Sequence, residues 1–314
     1  MPVPYMGSKR VSAKSIVNVI RAYYPDIKEL YDPFCGGFAI SEEAIKHGFN
    51  VYASDKNEAI VNLINEVLFG ECKDPKTGEN IFDNPRFIPR EEWHASKDGK
   101  DWWAGYLQSC WSFGNNQTSY LFGKNLEHIK KAGHDLVIDK KIDPILEKYI
   151  PRKYLEKITT YSDWHKRRLA LRKTAVALKG KQGRVLELQQ LQQLQQLQQL
   201  EQLERLQQLQ QLEQLERLEH KSYDEIEYKE DAIIYCDPPY AGTTEYKEDA
   251  FDHEKFYNWL KEQSKHNPIF ISEYNMPDDF NKIYEFARRQ TLQMSGRNMI
   301  HTEKVFLIDN RKER

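Results

Sequence analysis

The chain has 314 residues, of which 39% are hydrophobic and 30% charged, and its formal net charge is −2. These values are ordinary for a globular protein, and a net charge near zero neither favours nor excludes nucleic acid as a partner. The four cysteines lie far apart and form no CxxC pair, which argues against a zinc site or a disulfide framework. No apolar run approaches the length of a membrane span, and the first residues lack the pattern of a secretion signal. We therefore expect a cytoplasmic protein without metal or membrane partners.

The N-terminal segment Tyr5-Met6-Gly7-Ser8-Lys9-Arg10 leads into a helix that we predict over residues 11–24. Gly7, Ser8 and Lys9 precede that helix and offer donors suited to a carboxylate or a phosphate. The alternative is a helix N-cap beside a solvated lysine, and the local pattern favours this alternative.

A glycine-rich turn follows a short apolar strand at residues 30–31. It reads Asp32-Pro33-Phe34-Cys35-Gly36-Gly37-Phe38, and the next residues have a helical pattern. A second strand, Asn50–Asp55, ends in an acid about 20 residues past the glycines, where nucleotide-type α/β units place an acceptor for ribose hydroxyls. Asp55 also suits the N-cap of the helix predicted over Glu58–Phe69, and the two roles stay open here.

Two segments in the middle of the chain carry residues suited to nucleic acid. Residues 101–125 interleave aromatic rings with amides and hydroxyls, a pattern that suits either a core or a groove that stacks and binds bases. Residues 164–186 contain no acid, which favours a polyanion over a merely solvated basic face. The candidate DNA contacts from the two segments are Asn115, Asn116, Tyr120, Lys166, Arg167, Arg168, Arg172 and Lys173.

A leucine repeat comes next. Leucine occupies every third position from Leu188 to Leu218, and the twelve residues Leu194–Arg205 recur unchanged as Leu206–Arg217. All its residue types favour helix, yet steps of three residues turn by about 300°, so the leucines form no single apolar stripe. We therefore favour a compact solenoid over a long helix, with a role as spacer or as a surface for self-association rather than in chemistry.

The segment Ala232–Tyr240 is an apolar run that ends in Asp237-Pro238-Pro239-Tyr240. The prolines cannot continue a strand, so the strand end presents a carboxylate, carbonyl groups and a ring. Asp237 and the Pro238 carbonyl suit the two N–H groups of an exocyclic amine, and Tyr240 suits stacking on the attached base. Beyond it we predict a helix over residues 251–265, a strand over 268–272, a helix around Ile283 and Phe286, and a last strand over 305–308.

Four of these motifs, in this order, resemble the D12 class (Dam-like) adenine-specific DNA methyltransferases. The resemblance implies a Rossmann-like α/β fold, S-adenosylmethionine as cofactor and a flipped adenine of double-stranded DNA as substrate. It assigns Asp237, Pro238, Pro239 and Tyr240 to the adenine. The residues that it assigns to the cofactor are Tyr5, Lys9, Asp32, Phe34, Gly36, Gly37 and, for the ribose hydroxyls, Asp55. Phe38 departs from the pattern, since many relatives carry a small residue there.

The resemblance also implies an order of domains. Residues 1–70 and 228–314 would form the catalytic domain and residues 71–186 an inserted target-recognition region. We predict residues 187–222 as an inserted repeat module from the sequence itself, because the repeat is not a required part of this family. Cytosine N4, RNA adenine or a protein amide are alternative acceptors on the same fold. An inactive DNA-binding protein is a further alternative, against which the complete motif at Asp237 argues.

Overall fold

The structure is a computed structural model that describes residues 3–5, 7–179, 192–194, 197–212, 215–240, 251–290 and 299–311. The chain divides into two compact units. The first comprises Met1–Pro2, Gly7–Val61 and Gln211–Arg314, and the second comprises Val3–Met6 and Asn62–Gln210. The three functional domains proposed from the sequence stay a prediction.

A seven-stranded sheet organises the first unit. Its strands lie in the order β3-β2-β1-β4-β5-β7-β6, and all neighbours from β3 to β5 are parallel, whereas β7 is antiparallel to β5 and to β6. This mixed sheet confirms the predicted α/β class and is consistent with a methyltransferase fold, whereas the inserted recognition region stays a prediction. The strands are β1 (Glu29–Asp32), β2 (Asn50–Asp55), β3 (Leu215–His220), β4 (Ile233–Cys236), β5 (Ile269–Glu273), β6 (Asn281–Gln290) and β7 (Met299–Ile308).

Eleven α-helices can be assigned over the described residues. They are α1 (Ala13–Tyr23), α2 (Ala39–Lys46), α3 (Glu58–Phe69), α4 (Arg90–Ser96), α5 (Trp102–Cys110), α6 (Glu127–Ile138), α7 (Pro144–Glu147), α8 (Arg152–Thr159), α9 (Trp164–Lys179), α10 (Gln198–Gln207) and α11 (His253–Gln263). The predicted helix Glu58–Phe69 and the predicted strand Asn50–Asp55 are confirmed with the same bounds. No helix in these described parts is long and apolar enough to cross a membrane.

The central strands of the sheet are covered on both faces. Every residue of β4 and of β5 is buried, as expected for parallel strands that read as continuous apolar runs. Ile234 and Ile269 pack in one cluster with Phe256 and Leu260 of α11. Because that packing holds both strands rigidly, the residues that follow β4 start from a fixed position.

Phe38 has an unusual backbone for an aromatic residue. Its φ of 68° lies in the left-handed region, which favours glycine, and its side chain is fully buried. The conformation explains why glycine suits this position. The phenylalanine is retained by the packing of its ring in the core.

The prediction of a helix around Ile283 and Phe286 is wrong, because these residues lie in β6. Spacing of three residues between two apolar side chains suits a helix, but β6 pairs with β7 from Asn281 to Gln290, with an irregularity in the register at Ile283. Cross-strand pairing decides the outcome here, as it often does for short apolar patterns. The predicted last strand is confirmed, although β7 begins six residues earlier than expected.

Aromatic side chains fill the core of the second unit. Trp93, Tyr106 and Trp111 are fully buried, and the indole nitrogen of Trp111 donates to the hydroxyl of Tyr106 at 3.1 Å. Of the two interpretations of residues 101–125, the core interpretation therefore applies to most of the rings. Phe113 differs, since its side chain is 60% exposed.

The described part of the leucine repeat does not form a solenoid. Gln198–Gln207 is the helix α10, Gln208–Gln211 is a 3-10 helix, and Leu215–His220 is strand β3. Leu197, Leu200, Leu203 and Leu206 are all buried although they turn around the helix axis. Packing against α6 covers Leu197, since a Cβ atom added to Gly133 of α6 would lie 3.0 Å from Leu194 and 3.4 Å from Leu197.

Candidate active site

The carboxyl ends of the parallel strands gather three acids in the first unit. Asp32 ends β1, Asp55 ends β2, and Asp237 directly follows β4. β2, β1 and β4 are neighbours in the sheet. The sequence predicted these three acids as site residues on separate motifs, and the parallel arrangement places them along one edge, where α/β proteins bind ligands.

Asp55 organises the glycine turn. Its Oδ2 accepts a hydrogen bond from the Gly36 amide at 2.7 Å, and its Oδ1 accepts one from the Asn57 amide at 2.8 Å. Gly36 has a φ of 43°, a conformation that a side chain would strain. The amide of Ile60 donates to the Asn57 side chain at 3.3 Å, so Asn57, not Asp55, takes the N-cap role at α3.

Asp32 is a buried acid whose two carboxylate oxygens differ. Oδ2 accepts a hydrogen bond from the Ser41 hydroxyl at 2.6 Å, whereas Oδ1 has no hydrogen-bond partner among the described residues. The pKa of Asp32 is raised to about 7. Burial is the largest cause, and the charges of Asp237 and Asp55 also raise the pKa, whereas the hydrogen bond from Ser41 lowers it. Asp32 can therefore exchange a proton near neutral pH.

Lys9 lies between two carboxylates. Its Nζ is 2.6 Å from Oδ1 of Asp237 and 2.8 Å from Oε1 of Glu303. Burial alone would lower the pKa of Lys9, but the charges and hydrogen bonds of Asp237 and Glu303 raise it above its ordinary value. Lys9 is only 5% exposed, so the alternative of a solvated lysine at a helix cap is wrong.

The residues after Asp237 continue the cluster. The Tyr240 hydroxyl donates to Glu303, Lys9 Nζ lies 4.8 Å from the centre of the Tyr240 ring, and Tyr274 meets that ring edge-on at 4.6 Å. Pro238 is buried and Pro239 is exposed. The motif at the end of β4 thus presents one carboxylate and one ring that are both held by charged neighbours.

The other predicted cofactor residues are Phe34, Gly37 and Tyr5. Phe34 is partly buried and packs on Tyr223 with its ring centre 5.5 Å away. Gly37 is buried in the turn that precedes α2. Tyr5 belongs to the second unit, where it is partly exposed. Roles of Phe34, Gly37, Tyr5 and Lys9 in cofactor binding stay predictions.

The predicted DNA contacts lie in the second unit, and the structure separates them into two groups. Exposed side chains are those of Lys166, Arg172 and Lys173 on α9. Arg168 instead pairs with Glu204 of α10, and Asn115 accepts a hydrogen bond from Gln202 of the same helix at 2.7 Å. Asn116 is partly exposed and accepts from the amides of residues 118 and 119.

Two predicted DNA contacts need correction. Arg167 is 5% exposed, and its guanidinium donates to the carbonyls of residues 137, 138, 161 and 162. Tyr120 is also 5% exposed, and its hydroxyl donates to the Ile88 carbonyl at 2.7 Å. Since burial keeps both side chains from a large external ligand, we remove Arg167 and Tyr120 from the predicted contacts.

Glu303 is the residue of the cluster that the sequence did not reveal. It lies in β7, is 1% exposed, and precedes the apolar run Val305–Ile308. An acid at the start of an apolar strand is a weak signal, because most such acids are solvated. The described residues contain no group of three or more side chains suited to a metal ion.

Comparison with known proteins finds a family model that is similar to part of this chain. A search of curated proteins found no match. The family model described as D12 class N6 adenine-specific DNA methyltransferase matches residues 5–91, which include Lys9, Asp32 and Asp55. The resemblance seen in the motifs is confirmed over residues 5–91, and the matched family is one of DNA adenine methyltransferases, which are enzymes.

Proposed function

We propose that this protein transfers a methyl group from S-adenosylmethionine to the N6 of an adenine turned out of double-stranded DNA at a specific site. The observation that carries the proposal is Asp237, whose carboxylate is bound by the buried Lys9 directly after β4. The match of residues 5–91 to the family model supports methylation of DNA adenine. The donor, the flipping of the base and the specificity are part of the proposal.

The motif at Asp237 suits an exocyclic amine. The Asp237 carboxylate and the Pro238 carbonyl can each accept one N–H of N6, which aims the nitrogen lone pair away from them. Tyr240 offers a ring that can stack on the base. As N6 gains a bond it becomes positive, and the Asp237 carboxylate stabilises that charge and can take the proton.

The chemistry of the other two acids fits S-adenosylmethionine. This cofactor supplies a methyl group on a positively charged sulfur, which an amine can displace. It also carries an ammonium group and two ribose hydroxyls, all of which are donors. Asp32 Oδ1 is a buried acceptor with no hydrogen-bond partner in the described part of the chain, and Asp55 is a second carboxylate, which accepts from the amides of Gly36 and Asn57 at the glycine turn. Asp32 and Asp55 would therefore hold those donors.

The second unit supplies candidates for holding DNA. Lys166, Arg172 and Lys173 expose three positive charges on α9, which suits phosphate contacts without sequence preference. Phe113 is an exposed ring beside Asn116, a combination that suits stacking and hydrogen bonding to bases. An adenine cannot present N6 inside a duplex, so it must leave the stack at a cost of a few kcal/mol.

The test measures transfer of a labelled methyl group from S-adenosylmethionine to duplex DNA. The modified nucleoside is then identified by mass spectrometry, and N6-methyladenine is expected. Asp237→Ala should lower the rate at least about 1000-fold, because it removes the group that stabilises charge on N6. Asp279→Ala is the matched control, since Asp279 is an exposed acid of the same unit, paired with Lys261.

Three results would contradict the proposal: a product methylated on cytosine or on protein, transfer that prefers RNA, or transfer that survives Asp237→Ala. Calorimetric binding of S-adenosylmethionine by the variant separates a lost reaction from a lost fold. Sequencing of the modified adenines then defines the recognised site.

A further inference from the structure

We infer that Glu303 is a positioning residue of this site, which holds Lys9 against Asp237 and fixes the hydroxyl of Tyr240. The inference rests on the proposed function and extends it to a strand outside the matched residues 5–91. Glu303 would not touch the adenine. It would act through the two side chains that it binds.

Glu303, Lys9 and Asp237 form a cluster of three charged groups. Lys9 Nζ lies 2.6 Å from Asp237 and 2.8 Å from Glu303, and the side chains of Lys9 and Glu303 are 4% and 1% exposed. Buried charges are costly unless each is paired and hydrogen-bonded. One ammonium group shared by two acids leaves a net charge of −1, so Lys9 is held from both sides.

The topology of the sheet explains how a residue so distant in the chain reaches this site. β7 is antiparallel to β5, and Lys304 pairs with Glu273, the last residue of β5. Residues 303 and 304, in the middle of β7, therefore lie at the edge where the parallel strands end. Glu303 precedes that pair by one residue, and so its carboxylate belongs to the same edge as Asp237.

Glu303 also controls the orientation of Tyr240. The Tyr240 hydroxyl donates to the Glu303 oxygen that Lys9 binds, and the Tyr240 ring lies over Lys9 and against Tyr274. A phenol held at its oxygen and at one face has little freedom to rotate. Glu303 would thereby hold the ring that stacks on the base, and its removal should weaken DNA binding in the productive state.

The charge of Glu303 should also be visible in the titration of Asp237. The groups that act on Asp237 are Lys9, Glu303 and Tyr240, and Asp32, Tyr235 and Cys236 interact with it in turn. Burial raises the pKa of Asp237, Lys9 lowers it, and Glu303 raises it. Removing only the charge of Glu303 should therefore lower the pKa of Asp237.

The experiment compares Glu303→Gln and Glu303→Ala with the wild-type protein. Glutamine keeps an oxygen for Tyr240 and Lys9, so KM for DNA should change little while the acidic limb of kcat/KM moves to lower pH. Alanine removes both contacts, and kcat/KM should fall roughly 10- to 100-fold with a higher KM for DNA. Glu285→Gln is the control, because Glu285 is an exposed acid of the neighbouring strand, paired with Lys282.

The second readout does not need the reaction. Carbon-13 NMR of aspartate-labelled protein, with Asp237→Asn for assignment, follows the carboxyl of Asp237 in the free protein. Its titration should move to lower pH in Glu303→Gln. An unmoved titration, or a Glu303→Ala variant with wild-type kinetics, would overturn the inference. Wild-type protein that methylates no DNA would instead refute the proposed function, and the NMR result would still decide whether Glu303 acts on Asp237.

Discussion

Lys9 of the first unit and Arg167 of the second unit are buried cations that are held in opposite ways. Lys9 in the first unit lies between the carboxylates of Asp237 and Glu303. Arg167 in the second unit donates to four backbone carbonyls, two of which belong to the last turn of α6. The acids around Lys9 carry charge, whereas the carbonyls around Arg167 are neutral. Burial by itself therefore does not identify a site.

The difference in their partners indicates a structural role for Arg167 and a role in a functional site for Lys9. Carbonyls at the end of a helix lack intrahelical donors, and a guanidinium satisfies several of them at once. Arg167 thus stabilises the second unit by donating hydrogen bonds to these carbonyls. The acids at the strand ends of the first unit repel one another, and burial raises the pKa of both Asp32 and Asp237. An arrangement that opposes folding in this way is typical of a site built for chemistry.

The largest effect in this comparison should come from Arg167→Met. The substitution leaves four carbonyls without their donor, and we expect the free energy of unfolding to fall by about 4 kcal/mol. Urea unfolding measures this decrease. Lys166→Met is the matched control, because Lys166 is exposed on the same helix and should change stability by less than about 0.5 kcal/mol. Equal decreases in both variants would contradict the structural role of Arg167.

The second effect is a pH dependence of stability that Asp32 causes. Because its pKa is about 7 in the folded protein and about 4 in the unfolded chain, the folded state binds the proton more tightly. The contribution of Asp32 to stability is therefore present at low pH and is lost as pH rises from about 4 to 7.

Asp32→Asn should remove this dependence, since asparagine still accepts from Ser41. Relative to wild type, the variant should gain about 3 kcal/mol between pH 5 and pH 8. Urea unfolding at the two pH values measures the gain. Asp26→Asn, at an exposed position, should leave the dependence as in wild type. A wild-type dependence that persists in Asp32→Asn would show that another group causes it.

The edge that gathers the acids could be predicted from the sequence. Asp32, Asp55 and Asp237 each end a short apolar run, and parallel strands carry their ends to the same edge. Glu303 could not be predicted in this way. It reaches the edge only because β7 runs antiparallel, and no local pattern separates an antiparallel last strand from a parallel one.

The leucine repeat shows the limit of local sequence most directly. Leu203-Glu204-Arg205-Leu206 is helical, while the same four residues at 215–218 belong to strand β3. An identical sequence cannot choose between these states by propensity, so the surroundings decide. Arg167 is a similar case: a run of cations favours an exposed surface, and only the packing of α9 on α6 shows which cation is buried.

The third effect tests Lys9, the first-unit cation of this comparison. Lys9→Gln removes the positive charge that Asp237 and Glu303 share, and kcat/KM should fall roughly 100-fold. Because Lys9 lowers the pKa of Asp237, the acidic limb of the profile should move to higher pH, opposite to the shift expected for Glu303→Gln. Arg10→Gln, at the exposed neighbour, should leave the profile unchanged. A profile in Lys9→Gln that keeps the wild-type limb would mean that Lys9 is structural, as Arg167 is.

The smallest effect concerns the exposed cations of α9. Unlike Lys9 and Arg167, they are proposed to contact DNA phosphates. Replacing Lys166, Arg172 and Lys173 by glutamine should weaken binding to every duplex alike. The slope of log affinity against log salt should become shallower by about 1 for each phosphate that the variant no longer neutralises. Fluorescence anisotropy over a range of salt concentrations measures this slope. Glutamine at Lys148, Lys153 and Lys157 removes equal charge from exposed positions outside α9. If both triple variants change the slope equally, the effect is one of net charge, and α9 is not the phosphate-binding surface.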